Sequence, residues 1–239
     1  MNTGILSKSA GAGTSSVSGA VAFTNETGGA IAAETGTLEF LAGNFATNAG
    51  IIEISSGATV KTGGLTNTTD GLIGGAGTLD LGGATLTNNG ILRPGPPVGA
   101  PGTLTITGNL QQGSTGQINV TVDGLDPGAI DRVAVSGSAA LAGTLNVFHL
   151  DGSAPSSDSA YTILTAGSGV SGDFTTKNFP GGYETFYTAA ATTGSYVSSL
   201  GDIVNAWTGS TGTLWQTAAN WSLGHAPTAG EDALIDVPG

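Results

Sequence analysis

The sequence has no cysteine, which excludes disulfide staples, thiolate metal sites and cysteine nucleophiles. Charge is scarce: Asp, Glu, Lys and Arg make up 9% of 239 residues, against roughly 25% in an ordinary soluble domain. A chain so poor in Lys, Glu and Arg lacks the good helix formers. Its five basic residues, Lys8, Lys61, Arg93, Arg132 and Lys177, are scattered. Phosphate-backbone binding needs them clustered, so a nucleic-acid partner is excluded. No apolar run approaches the roughly 20 residues that span a bilayer, so no transmembrane segment is expected. Residues 1–8 lack the charged start and apolar middle of a signal peptide. An extracellular destination therefore requires a targeting segment outside this chain. His149 and His225 are isolated, and without cysteine they make no metal site.

What is abundant is small and turn-forming. There are 42 glycines, with Ala, Ser and Thr filling much of the remainder, and the net charge is −12. Apolar residues come in clusters of three to five that alternate with polar ones, as in 37–41, 50–54, 58–60, 78–81 and 84–86. Gly and Asn punctuate between them, which reads as short strands joined by turns.

The clusters repeat. Phe23-Thr-Asn-Glu-Thr-Gly-Gly-Ala-Ile31 is echoed by Leu65-Thr-Asn-Thr-Thr-Asp-Gly-Leu-Ile73, Gly36-Thr-Leu-Glu-Phe40 by Gly77-Thr-Leu-Asp-Leu81, and Thr47-Asn-Ala-Gly-Ile51 by Thr87-Asn-Asn-Gly-Ile91. The offsets are 42 (65 minus 23), 41 (77 minus 36) and 40 (91 minus 51). A period of this size means stacked structural units. Each unit holds about two copies of a strand-turn-strand pattern, so it reads as two coils of roughly 20 residues stacked at about 4.8 Å. The fold class expected is all-β: a right-handed parallel β-helix (β-solenoid) followed by a β-rich cap region. Leu38, Ile52, Leu79, Leu86, Leu104 and Leu145 are expected in its inward ladders, with Leu38 and Leu79 two rungs apart. Gly-Thr-Leu recurs at 102 and 143, again 41 apart, which extends the two-coil repeat along the chain. Asn48 and Asn89 recur in Asn-(Ala or Asn)-Gly-Ile and read as turn residues, with stacked Asn ladders as a further use.

Four segments follow. Residues 1–19 are a sparse lead-in or first rung, and 20–168 are the β-helix with its ~41-residue repeat, interrupted by a proline-rich excursion at 93–101. Residues 169–204 carry Phe174, Phe179, Tyr183, Phe186, Tyr187 and Tyr196 and read as an aromatic-rich β cap. Residues 205–239 hold Trp207, Trp215 and Trp221 and read as the opening of a next module or a docking segment.

Two segments resemble known proteins. Leu86-Thr-Asn-Asn-Gly-Ile-Leu-Arg-Pro-Gly95, the run Pro101–Leu110, Asp131-Arg-Val-Ala-Val-Ser with its Gly-Thr-Leu-Asn-Val147, and Tyr161-Thr-Ile-Leu-Thr to Gly-Asp-Phe174 resemble the end of the passenger β-helix in bacterial autotransporter and related adhesin-like proteins. Trp207, Ala219-Asn-Trp-Ser222, Pro227 and Gly230-Glu-Asp232 resemble the module that opens a new β-helical stretch in giant secreted bacterial repeat proteins. The resemblance implies secretion, surface display and a passive rod, adhesin or filament role. It supplies no catalytic residue to carry over.

Asp123, Asp126 and Asp131 are the dense acidic group of the body; they read first as a turn, with calcium as the candidate cofactor and catalysis least favoured. Gly74-Gly-Ala-Gly-Thr-Leu-Asp80 brushes a calcium-binding nonapeptide but places its Asp one position late. Trp207, Trp215 and Trp221 read as the core of a small cap, with glycan stacking or docking as the functional alternative. Thr103, Thr105 and Thr107 suggest a flat threonine face of the kind that binds ice, but no repetition of that array at rung spacing is evident. The partners expected are a second copy stacked head to tail, the next module of the same polypeptide, and host or matrix glycans. No catalytic residue and no metal site is assigned, and the expectation is a structural protein rather than an enzyme.

Overall fold

The computed structural model describes the chain except residues 19–21, 42–43, 97–100, 123–128, 151–159, 179–184, 191–194, 201–202, 229–230 and 236–239, and except the side chains of 149, 160–161, 185–190, 195–200, 203–204 and 231–232. Short strands recur in threes, because each apolar cluster is too short for a helix and each is closed by Gly, Asn or Thr. Successive triplets stack on one another as parallel strands, so the chain winds into a β-helix with three walls. Parallel crossovers of this kind are right-handed in about 98% of cases.

The first wall is an eight-stranded sheet running from Ile5–Lys8 through Ala30–Ala33, Ile51–Ile54, Leu72–Gly75, Ile91–Pro94, Gln117–Val122 and Thr144–His149 to Thr176–Asn178. The second wall begins with Thr14–Val17, Thr37–Phe40 and Thr59–Lys61, and the third with Phe23–Asn25, Phe45–Asn48 and Leu65–Asn67. Both belong to one 14-stranded sheet, joined where Thr78–Asn88 and Thr103–Gln112 run from the second wall into the third.

Ile5, Ala30, Ile51, Leu72, Ile91, Gln117, Thr144 and Thr176 stand in register, so successive coils take 25, 21, 21, 19, 26, 27 and 32 residues. The 40-residue offset between Ile51 and Ile91 is therefore two coils. Leu38 and Leu79 both pair with Val60, two rungs apart. The echo at 102 and 143 has a different meaning. Leu104 pairs with Val133 in the second wall, whereas Leu145 pairs with Ile118 in the first. The 41-residue spacing ends near residue 91 because later coils lengthen to 26 and more. Residues 5–8 and 14–17 form full rungs of the solenoid.

The core is a set of inward columns. Leu6, Ile31, Ile52, Ile73, Leu92, Ile118 and Leu145 stack down the first wall and end on Lys177. Leu38, Val60, Leu79, Ile106 and Val135 line the second, and Leu65, Leu86, Leu110, Ala139 and Val170 the third. Phe23, Phe40 and Phe45 fill the early corner between second and third walls, with ring centroids 4.7–5.4 Å apart.

At the corner from third to first wall the inward column is polar. Asn2 Nδ2 donates to Asn25 Oδ1 (2.8 Å), Asn25 to Asn48 (2.8 Å), Asn48 to Asn67 (2.7 Å), Asn67 to Asn88 (2.7 Å) and Asn88 to Gln112 Oε1 (3.0 Å). The four asparagines from 25 to 88 are fully buried. Each donates again to a corner carbonyl, as Asn48 does to Gly50 and Asn67 to Gly71, so both amide protons are used. The corner residue that repeats with Asn48 is Asn88, not Asn89, since Asn88 holds the ladder position and Asn89 lies partly exposed beside it. The glycines after the asparagines are demanded by space: a Cβ on Gly50 would overlap the Gly29 carbonyl, and one on Gly90 the Gly71 carbonyl.

Beyond the seventh coil the parallel order stops. Ser195–Leu200 runs antiparallel to Ala160–Ala166 and pairs with Thr185–Ala190 as a hairpin, closing the second-wall edge. Of the aromatic residues in 169–204, Phe174 is buried in the core; Phe179 and Tyr183, and the side chains of Phe186, Tyr187 and Tyr196, lie outside what is described. The C-terminal segment forms its own parallel pair, Ile203–Ala206 with Glu231–Leu234.

Candidate interaction surfaces

A three-walled solenoid offers outer faces, excursion loops and ends. On the second wall, Thr14, Thr37, Thr59, Thr78 and Thr105 form one outward column. Beside it stand Ser16, Glu39, Lys61, Asp80 and Thr107, with Lys61 Nζ 3.0 Å from Glu39 Oε1. The hydrogen bond from Lys61 pulls the Glu39 carboxyl below its ordinary value and raises that of Lys61. Thr24, Thr47, Thr66 and Thr87 form a second threonine column on the third wall. Single threonines thus recur at rung spacing, but the Thr103-Thr105-Thr107 array does not, since these residues stand beside Arg132, Ala134 and Asp80. Uneven coil lengths hide the repetition in the linear chain. The two columns lie on different walls, and the column next to the first carries charges, so no flat, uncharged threonine sheet results.

The first wall changes character along its length. Ile5 (80% exposed), Ala30, Ile51 (48%), Leu72 and Ile91 are followed in the same outward column by Gln117, Thr144 and Thr176. In the next column Arg93 reaches across Gly74 to Glu53 (2.7 Å), and burial lifts the Glu53 carboxyl above its ordinary value against the pull of that guanidinium. Further on, Asn178 donates to Asn146 and Asn146 to Asn119 (2.7 Å each), an outer amide ladder.

Asp123 and Asp126 lie outside the described residues. Asp131 is buried, and its two carboxylate oxygens accept the backbone N–H groups of Gly102 (2.8 Å) and Thr121 (2.9 Å). It clamps the base of the 93–101 excursion, and burial raises its carboxyl above the ordinary range. Asp80 accepts the Gly82 N–H at the end of its glycine run, a turn-forming contact. His149 closes the strand Thr144–His149, and His225 is exposed, with its carbonyl accepting from Asn205 Nδ2.

The three tryptophans do come together. Trp221 is buried between Trp207 (centroids 5.0 Å, 80°) and Trp215 (4.6 Å, 73°), and its Nε1 donates to the Trp215 carbonyl. Asn220 locks the loop, accepting from Thr211 N and Oγ1 and donating to the Leu214 carbonyl. Ala219-Asn-Trp-Ser222 is therefore the core of a knot closing the connection between the two C-terminal strands. Trp215 stays 47% exposed beside Leu214, which is 72% exposed.

The first described rungs border a concave surface. A hollow of about 390 Å³ there is lined by Leu6, Lys8, Ser15, Val17 and Leu38. Lys8, 8% exposed, donates to the carbonyls of Ala10 (3.0 Å) and Gly11 (3.1 Å) and makes no ion pair among the described residues. Asn2 Oδ1 accepts the Gly4 N–H (3.3 Å), and its counterparts further along, Asn48 and Asn67, each accept an amide from the coil before. The sequence carried a signal for this rung: Asn2-Thr-Gly-Ile5 repeats Asn48-Ala-Gly-Ile51.

Residues 3–114 match the haemagglutinin repeat, a family of secreted β-helical adhesin passengers, structural rather than catalytic. The match covers 112 of 239 residues and ends two residues past Gln112, where the inner amide ladder ends. No curated protein matches the chain. The chain is a β-helical repeat protein, and its residues 3–114 are similar to that adhesin-like family. No helix among the described residues is long and apolar enough to cross a membrane.

Proposed function

We propose that this chain is a section of a surface-displayed bacterial rod whose outer walls and ends make adhesive contacts, with no catalytic step. The observation that carries this reading is the haemagglutinin-repeat solenoid itself. Its polar side chains are spent on ladders and loop clamps: the inner asparagines on one another, Asp131 on two backbone amides, and Glu53 on Arg93. Such a rod projects a binding face away from a cell, at about 4.8 Å of length per coil. Beads coated with the protein are expected to be retained on glycan- or matrix-coated surfaces more strongly than albumin-coated beads. Equal retention would contradict the adhesive reading. A second reading, glycan stacking at the C-terminal knot, is favoured by the half-exposed Trp215. It requires Trp215→Ala to abolish glycan retention, with Trp221 left in place to hold the knot.

A further inference from the structure

The outer face of the first wall loses its charge after Ile91–Pro94. In Gln117–Val122 and Thr144–His149 the alternation turns Gln117, Asn119, Thr121, Thr144, Asn146 and Phe148 outward, while Ile118, Val120, Leu145 and Val147 fill the core. Thr176 and Asn178 continue the first two outward columns. None of these eight residues is charged, in a chain with 17 acidic and five basic residues. The charged outward pairs stand elsewhere: Glu53 with Arg93 earlier on the same wall, and Lys61 with Glu39 on the second. We propose that this neutral face binds an uncharged glycan strand, with Phe148 as its stacking platform. The proposal deepens the adhesive reading and rests on it, naming the wall and the ligand class.

Charge supplies the first argument. A phosphate backbone or an anionic membrane surface is held by Lys and Arg. A basic protein surface is held by carboxylates. The face offers neither, so the partner it fits is an uncharged one.

Hydrogen bonding narrows the class. Asn178 donates to Asn146 Oδ1 and Asn146 to Asn119 Oδ1 (2.7 Å each), and Asn146 donates again to Gln117 Oε1 (3.1 Å). The ladder runs in one direction. It leaves a donor, Asn119 Nδ2, at one end and an acceptor, Asn178 Oδ1, at the other, neither with a partner among the described residues. The hydroxyls of Thr144 and Thr176 in the next column donate and accept alike. Sugar hydroxyls also do both, so one hydroxyl-rich chain satisfies both ends. The ladder already fixes the amides, which lowers the ordering cost of binding.

The third argument is apolar. Phe148 stands outward beside Thr121 and is 50% exposed. A ring set at the border of an amide face stacks on the C–H face of a sugar while the sugar's hydroxyls reach the amides.

The test is affinity electrophoresis of the full chain in gels holding dextran, laminarin, galactan or mannan, with dextran sulfate as the charged counterpart. The wild type is expected to be retarded by at least one uncharged glycan and not by dextran sulfate. Phe148→Ala and Thr144→Glu are each expected to weaken that binding roughly tenfold or more. Phe148→Tyr keeps the ring and is expected to restore it, and Thr78→Lys on the second wall to leave it intact. Circular dichroism melting confirms that each variant is folded. Undiminished binding by folded Phe148→Ala and Thr144→Glu would overturn the proposal, as would loss on Trp215→Ala alone. If the two variants abolish self-association instead, the face is a contact between copies and the proposal falls. A wild type that binds no uncharged glycan but is still retained on matrix-coated surfaces would overturn it while leaving the adhesive reading standing.

Discussion

The first four coils and the later three hold the same fold in different ways. From residue 30 to 91 the coils take 19–21 residues, an amide ladder runs down the inner corner, and one outward column of the first wall, Ala30, Ile51, Leu72 and Ile91, is apolar. From residue 91 onward they take 26–32 residues, the inner corner position passes from Gln112 to Leu141, and the amide ladder lies outside at Asn119, Asn146 and Asn178. In the early coils a buried polar column fixes the register, because an asparagine displaced by one residue would lose its partners above and below. In the later ones apolar packing alone fills that corner, and length variation is absorbed by excursions between the walls. The difference teaches that regularity and a buried amide ladder go together here, and that both stop at the same coil.

That contrast can be broken by substitution. Asn67→Ala strands the Asn48 amide and the Asn88 oxygen in a buried corner. It is expected to cost roughly 2–4 kcal/mol, against less than about 1 kcal/mol for Asn146→Ala in the part-exposed outer ladder. Urea unfolding of the two variants checks it, and equal losses would remove the distinction. Next in size, Gly90→Ala drives a methyl into the Gly71 carbonyl and should cost about 1–3 kcal/mol. Smaller still is Gln112→Leu. Its Nε2 is buried without a partner, and Asn88, deprived of Gln112, keeps its bond to the Gly90 carbonyl (3.2 Å). The lost bond and the relieved donor offset one another, so the change should stay within about 1 kcal/mol of wild type. A large loss would show that the ladder extends past Gln112 in effect.

The smallest expected effect is on pH. Burial raises both Glu53 and Asp131 from ordinary values of 4.5 and 3.8. Between the ordinary and the raised value the folded state holds more protons than the unfolded, so stability falls as pH rises through that window. Glu39, whose carboxyl is lowered, works in the opposite direction below its ordinary value of 4.5. Glu53→Gln removes one source of the fall, and a shallower decline in melting temperature as pH rises above the ordinary carboxyl value of 4.5 is expected.

Much of the early half was legible in the chain. The echo between residues 23–51 and 65–91 is two coils, because three consecutive coils there differ by at most two residues. The Asn-Gly-Ile corner was visible too, but the adjacent Asn88 and Asn89 look alike in the sequence, and only the pleat decides which points inward. Past residue 91 the spacing misleads. Gly-Thr-Leu at 102 and at 143 falls on different walls, because excursions of different length displace the strands. The threonine columns were hidden for the same reason, since Thr37, Thr59, Thr78 and Thr105 are separated by 22, 19 and 27 residues. The tryptophan contacts followed from their clustering in sequence, and the first rung carries its own signature in Asn2-Thr-Gly-Ile5.

A buried amide ladder runs through the early coils and ends at Gln112. Side-chain amide hydrogen exchange, followed by NMR on asparagine-labelled protein, tests it most directly. The Nδ2 protons of Asn48 and Asn67 are expected to be strongly protected, with those of Asn146 exchanging far faster. Equally fast exchange at all three would contradict the ladder.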